Sequence, residues 1–415
     1  MLSLTEKTSS PSLSPTPTEP AFLSGRVAAY FRERVERTWG GGHIMKGRQP
    51  GPGAVLLVSN DYLSLSGHPA VVAAQVAALE TDGHGVLRSD VFRMGRTPLR
   101  VFEERLAAMM GAEDTVVCQS GWCANVGLLQ SIAGPATPVY VDMFAHMSLW
   151  EGVLSAGATA RPFKHNDPES LERLVARHGP GVVVVDAVYS TSGTECRLAE
   201  IVAVGERHGC VLVVDESHSL GTHGEAGAGL TAALGLTERV HFRTASLSKA
   251  FAARGGIVAG SARNMEYFRY ESRPAIFSSG MLPHEAAGFL AILELIEAGG
   301  ERRRRLHANA ADVRNRLSLL GYNMDASDSQ IIPLVAGPEP QTMVLRDALE
   351  SRGIFGSVFC APATAKNRSL VRFSINAGLE KEQLDRIVSV CAAIRSEVGM
   401  RDWASTRRRV LPAAV

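Results

Sequence analysis

From residue 115 onward, short apolar runs alternate with stretches whose apolar residues return every three or four positions. The runs lie at 115–118, 138–141, 160–163, 182–186, 211–215, 240–244 and 256–259. Runs this short and this rich in β-branched residues predict strands, the intervening spacing predicts helices, and their alternation predicts βαβ units in a mostly parallel sheet covered on both faces. Upstream, Phe22, Val27, Tyr30, Phe31 and Val35 stand at helical spacing among arginines and glutamates, so an amphipathic helix is expected over 21–39. A short strand at 55–58 follows, and Pro69 opens a helix to about residue 79. Downstream, helical patterns at 286–298 and 302–320 lead to strands at 330–334, 355–359 and 370–374 and a closing helix from residue 381. The division read from this pattern is a disordered tail over 1–20, an N-terminal helix and strand segment over 21–58, a large domain over 59–284, a small C-terminal domain over 285–400 and a frayed tail over 401–415.

Composition narrows the function. The 415 residues carry 43 basic against 42 acidic side chains, a net charge of +1 that gives no case for nucleic-acid binding. The arginine runs at 302–305 and 407–409 read as solvated faces. No segment reaches the roughly 18 uninterrupted apolar residues of a membrane span. The six cysteines show no C-x-x-C and no short pairable spacing, which fits reduced thiols, and with no signal-like apolar segment near the start a cytoplasmic location is expected.

Candidate chemistry gathers at strand ends. One run ends at Asp215, with His218 just beyond; about 30 residues on, the spacing of one βαβ unit, the next ends in Thr244 and Ser246 and is followed by Lys249. Parallel strands bring their carboxyl ends to one edge, where open α/β sheets bind ligands. A lysine among small hydroxyl residues, with a fixed acid nearby, is what pyridoxal phosphate requires: an amine to carry it and an anion to keep its pyridine nitrogen protonated. Ser120 and Gly121 follow a strand and open a helix, an anion site with Trp122 next in line, to which Thr244 and Ser246 would add hydroxyls. His146, at a further strand end, could stack on a flat cofactor, and Ser190 and His218 could reach its phenolic oxygen. Asp215, His218 and His223 match no metal framework, so no metal is expected. No G-x-S-x-G elbow and no G-x-G-x-x-G after a strand occurs.

The ordered set Asn60-Asp61-Tyr62-Leu63, Ser120-Gly121-Trp122-Cys123-Ala124-Asn125, His146, Ser190, Asp215-Glu216-Ser217-His218 and Ser246-Leu247-Ser248-Lys249 resembles the α-oxoamine synthases. These are fold-type I pyridoxal phosphate transferases that join an amino acid to an acyl-CoA with loss of carbon dioxide. The likeness runs from about residue 59 to 393. It is greatest to the branch that makes long-chain amino ketones as quorum-sensing autoinducer precursors, through the segments 145–152, 178–181 and 356–364. The resemblance implies an α/β fold with a large domain and a smaller C-terminal one. It implies Lys249 as the Schiff-base lysine, Asp215 as partner of the pyridine nitrogen, His146 as the stacking residue, and Ser190 and His218 near the phenolic oxygen. Gly121, Trp122 and Ser246 would touch the cofactor, and Asn60 and Arg372 the substrate, the arginine clamping the amino acid's carboxylate. Ser278 and Ser279 would reach the phosphate of a neighbouring subunit, which implies a homodimer.

Two departures bear on the substrate. Glycine-using members carry a Gly-Ser-Arg segment where this chain reads Gly85-Val86-Leu87-Arg88-Ser89-Asp90, which points away from glycine and toward S-adenosylmethionine or 2-aminobutyrate as donor. Arg88, Arg93, Arg96 and Arg100 also make the irregular stretch 83–100 unusually basic; it is read as a solvated connection in preference to a gating loop. The alternatives are a glycine- or alanine-using α-oxoamine synthase, or another enzyme of this fold such as an aminotransferase. In every version Lys249 must be neutral when it acts, so its site should depress its pKa.

Overall fold

The computed structural model describes residues 18–407. They fall into two compact units, divided after Gly47. In the first, the α-helix Ala21–Tyr30 runs on as a π-helix, Phe31–Thr38. The expected helix is there, with Phe22 80% and Phe31 52% exposed.

The unit that begins at Arg48 holds two sheets. The strands are β1 (Val55–Leu57), β2 (Asp114–Cys118), β3 (Pro138–Asp142), β4 (Thr159–Phe163), β5 (Val182–Asp186), β6 (Val211–Asp215), β7 (Phe242–Ser246), β8 (Gly256–Gly260), β9 (Ile331–Gly337), β10 (Ile354–Phe359) and β11 (Ser369–Ser374). The large sheet has the order β2-β8-β7-β6-β5-β3-β4, and only β8 runs against the rest. Beside the central strand β6 lies β5, where Val182, Val183, Val184 and Val185 are all buried. Branched side chains on both faces are what a strand covered by helices on both sides needs, and each such valine contributes about 1.5–3 kcal/mol by leaving water. Register sets Asp186 opposite Asp215 and Asp215 opposite Thr244. The sheet therefore delivers a row of polar residues to one edge, as the pattern predicts.

The small sheet, β1-β10-β11-β9, departs from the sequence reading in one respect. Val55–Leu57 does not belong to a separate N-terminal segment but pairs in parallel with Ile354, Phe355 and Gly356. A three-residue strand gives no local signal of a partner about 300 residues away. The chain end differs as well: Trp403 is buried in the core of this sheet, and its indole N–H donates to the carbonyl of Val398 at 3.1 Å. The other tail calls fall on residues 1–17 and 408–415, outside the described residues.

The basic stretch 83–100 is solvated over 83–88 but pinned at Arg93 and Arg100. Thr97 caps the helix Pro98–Met110, which buries Leu99, Phe102, Leu106 and Met110 on one face and carries Glu103 into the interior. The Glu103 carboxylate receives Arg93 at 2.9 Å, Arg269 at 3.0 Å and Arg100 at 3.4 Å, and the backbone N–H of Val117 at 3.0 Å. Asp90 and Asp114 complete the set, at 2.9 Å from Arg93 and 2.7 Å from Arg100. Only Arg96 and Arg88 of the four noted arginines have exposed side chains, Arg96 pairing with Glu104 at 3.1 Å.

Candidate active site

The site lies at the carboxyl edge of the large sheet. Asp215 ends β6 almost wholly buried; one carboxylate oxygen receives the Ser217 N–H at 2.8 Å and the other the Asn125 amide at 2.7 Å. Lys249 follows β7 in a turn. Burial and the charge of Arg372 push its pKa down, and Asp215 pulls weakly the other way, the depressed amine expected for this position. His146 caps the helix Met147–Ser155, and its backbone N–H donates to Asp186 at 3.1 Å. Its ring lies 6.4 Å from that of Trp122, edge-on. Burial, opposed by Asp215 and aided by Lys249, lowers the His146 pKa.

His218 sits opposite. Its Nδ1 is 2.7 Å from the Tyr62 hydroxyl, and burial with Lys249 and Arg372 drives its pKa well below the usual value. Tyr62 is itself buried and pushed up to about 12, and its hydroxyl also donates to the Asn60 side-chain oxygen at 3.3 Å.

Arg372, on β11, comes in from the small sheet. One arm donates to the Ser190 carbonyl at 2.7 Å and another to the Asn60 side-chain oxygen at 2.8 Å. Its guanidinium lies 4.6 Å over the Phe359 ring. The residue is only 4% exposed, no carboxylate pairs with it among the described residues, and its Nε is buried without a partner. A desolvated cation with neutral partners is an anion site awaiting its anion.

A cleft of about 410 Å³, lined by Asp61, Gln119, Ser120, Ser246, Ser248 and Arg254, reaches the residue before Lys249. Ser120 caps the helix Gly121–Ile132 through Cys123 N–H at 3.1 Å. Two glycines let the elements meet there: a Cβ on Gly121 would stand 2.7 Å from Cβ of Ser246, and one on Gly256 would stand 2.3 Å from the Ser120 carbonyl. Hydroxyls, a helix N-terminus and an arginine beside a lysine and a buried aspartate fit pyridoxal phosphate, with its phosphate among the serines.

One expected placement differs. Thr244 offers no hydroxyl to the cleft; it is fully buried and donates to Asn125 at 2.6 Å. Ser278 donates to the Pro274 carbonyl, and Ser279 bridges to Ser89 while its carbonyl accepts from Gln119 at 2.8 Å. Ser190 meets Arg372 through its carbonyl. Tyr62, Asn125, Ser148 and Asp186 belong to the site although no role follows for them from the sequence. Asp186 gives a signal, an acid closing a run of four valines; burial and the nearby Asp215 hold its carboxyl well above the usual range.

The model of the family described as aminotransferase class I and II matches residues 52–390. The CAI-1 autoinducer synthase of Vibrio campbellii is 44% identical over 90% of this chain and 94% of its own. The serine palmitoyltransferase of Bacteriovorax stolpii is 32% identical over 88% of this chain and 86% of its own. Among solved structures, a serine palmitoyltransferase from S. paucimobilis carrying a pyridoxal phosphate–myriocin adduct superposes with a TM-score of 0.82 at 26% identity, covering 91% of this chain and 98% of that one. The cofactor is pyridoxal 5'-phosphate. The chain belongs to the class I and II aminotransferase family, as a fold-type I transferase of its α-oxoamine synthase branch.

Proposed function

We propose that this enzyme condenses an amino acid of the S-adenosylmethionine or 2-aminobutyrate type with a medium- or long-chain acyl-CoA, with loss of carbon dioxide, to give an α-amino ketone that is the precursor of a quorum-sensing autoinducer. The observation that carries the reading is Arg372: a buried guanidinium with no carboxylate of its own is suited to an amino acid's carboxylate. The likeness to the CAI-1 autoinducer synthase supports the choice of product.

Each residue's part follows from its surroundings. Arg372 and Asn60 hold the carboxylate and so orient the bond to be broken at Cα. Lys249, with its pKa lowered, has a neutral fraction at working pH and takes the Cα proton. Asp215, fixed by Asn125 and Ser217, keeps a negative charge where the cofactor's ring nitrogen needs one. Pyridoxal phosphate bound at Lys249 supplies an electron-withdrawing ring that takes up the charge left at Cα. His146 lies flat-sided at the same site, with Trp122 at its edge. His218, held by Tyr62, and Ser190 reach the cofactor's phenolic oxygen. Ser120, Gly121, Ser246 and Ser248 hold the phosphate.

The same reading makes the enzyme a homodimer, with Ser278 and Ser279 at the neighbouring subunit's phosphate, and places it in the cytoplasm. Cys118, Cys123, Cys196, Cys210 and Cys391 are free thiols, and no helix among the described residues is long and apolar enough to cross a membrane.

The test supplies each donor with and without a medium-chain acyl-CoA and reads free thiol and product mass. Thiol release and an amino ketone that appear together, with S-adenosylmethionine or 2-aminobutyrate and not with glycine, are the expected result. Turnover without acyl-CoA, or conversion of the donor to its oxo acid, would make the enzyme an aminotransferase.

A further inference from the structure

Between the end of β6 and the helix that starts at His146, buried side chains form one unbroken run of hydrogen bonds. Thr244 donates to Asn125 Oδ1 at 2.6 Å. The Asn125 amide nitrogen donates to Asp215 Oδ2 at 2.7 Å and to Ser148 Oγ at 2.8 Å. Ser148 Oγ lies 2.7 Å from His146 Nδ1. Asn125, Ser148, Thr244 and Asp215 are all nearly or fully buried.

Valence gives the run a direction. An ionised carboxylate only accepts and an amide NH₂ only donates, so the nitrogen of Asn125 must face Asp215 and its oxygen Thr244. Its second N–H goes to Ser148. A hydroxyl carries one proton, and with Asn125 already donating to it, Ser148 directs that proton to His146. The Ser148 backbone N–H, whose hydrogen has no freedom to turn away, also points at Nδ1, at 3.3 Å. Two donors converge on one nitrogen, so that nitrogen carries no hydrogen of its own.

We propose that Ser148 and Asn125 are positioning residues that hold the one ring proton of His146 on Nε2 and link that choice to the ionised state of Asp215. Protonating His146 would place a hydrogen on Nδ1 against two donors, so the ring stays neutral. The groups that face it work the same way or weakly against it: Lys249 repels a charge there and Asp215 attracts one. The consequence for the reaction rests on the function proposed above. With His146 uncharged, Arg372 is the fixed cation at the reacting carbon, there to hold a carboxylate, and the neutral amine of Lys249 is the group left to take the proton.

Imidazole ¹⁵N signals of the full-length protein, with and without pyridoxal phosphate, test the assignment, with His146→Asn identifying the resonance. The wild type should show neutral His146 protonated on Nε2 in both states. Ser148→Ala should bring in the Nδ1–H form and move the acid limb of the pH–rate profile upward, with kcat/KM roughly tenfold lower, the worth of one such hydrogen bond; Ser148→Thr should restore all three. An imidazolium or an Nδ1–H ring in the wild type would overturn the proposal, as would a Ser148→Ala spectrum identical to wild type. If Ser148→Ala does not fold, the wild-type tautomer alone decides. Loss of cofactor binding at Lys249 would defeat the proposed function and leave the tautomer untouched, so the two failures are separable.

Discussion

Three partly buried arginines around Glu103 and one fully buried arginine at the active site make opposite uses of the same charge. Around Glu103, Arg93, Arg100 and Arg269 meet three carboxylates, Glu103, Asp90 and Asp114, and every charge is answered from within the chain. At the active site, Arg372 is more deeply buried yet among the described residues meets only a carbonyl, an amide oxygen and an aromatic face. Taking a charge out of water costs several kcal/mol, and a partner recovers much of it. A closed network is therefore architecture, holding the Arg93 and Arg100 end of the 83–100 stretch to the sheet, whereas an open one stores a cost that a ligand relieves. The difference lies in what is missing beside Arg372, not in the arginines themselves.

Substitutions should separate the two. Glu103→Gln leaves three guanidiniums facing a neutral amide. It is expected to destabilise the fold by about 3–5 kcal/mol, read from the denaturant midpoint, with little change in KM of the surviving enzyme. Arg372→Leu should do the reverse: kcat/KM for the amino acid falls by roughly 30- to 150-fold, about 2–3 kcal/mol for a lost charge-assisted pair, while the denaturant midpoint holds or rises. An Arg372→Leu chain as destabilised as Glu103→Gln would erase the distinction.

A third test uses pH. His218 is driven well below its ordinary pKa in the folded chain, near the uncompensated Arg372, whereas an unfolded chain titrates at about 6.5. As pH falls through the unfolded value, the unfolded state takes up a proton that the folded state refuses. Stability should therefore be lost on acidification, by about 1.4 kcal/mol per pH unit for this histidine. His218→Asn should flatten that slope, and an unchanged slope would show that the group titrates normally. The smallest effect belongs to Arg96→Ala, which breaks an exposed pair with Glu104 at the rim of the closed network; neither midpoint nor KM should change measurably.

The sequence makes legible what local pattern controls. Valine runs ending in acids give the strands and their shared edge, so Asp215, His146, His218 and Lys249 are identifiable before any coordinates. Long-range pairing is another matter: nothing in Val55, Leu56 and Leu57 names Ile354 as a partner, and nothing in the arginines of the 83–100 stretch shows that Glu103 is waiting for them. Thr244 misleads for a related reason. Its position at a strand end is right, but alternation turns its hydroxyl inward to Asn125 and away from the cleft. Tyr62, Asn125 and Ser148 escape notice because they act on other side chains, a relation visible only once the fold brings them within hydrogen-bond distance.

The central claim is that Lys249 carries the cofactor. Borohydride reduction of the purified protein followed by peptide mapping reads it directly, since the only other lysines are Lys7, Lys46, Lys164, Lys366 and Lys381. A pyridoxyl phosphate adduct confined to the Lys249 peptide is the predicted result. An adduct on any other lysine, or none on protein supplied with the cofactor, would contradict the account.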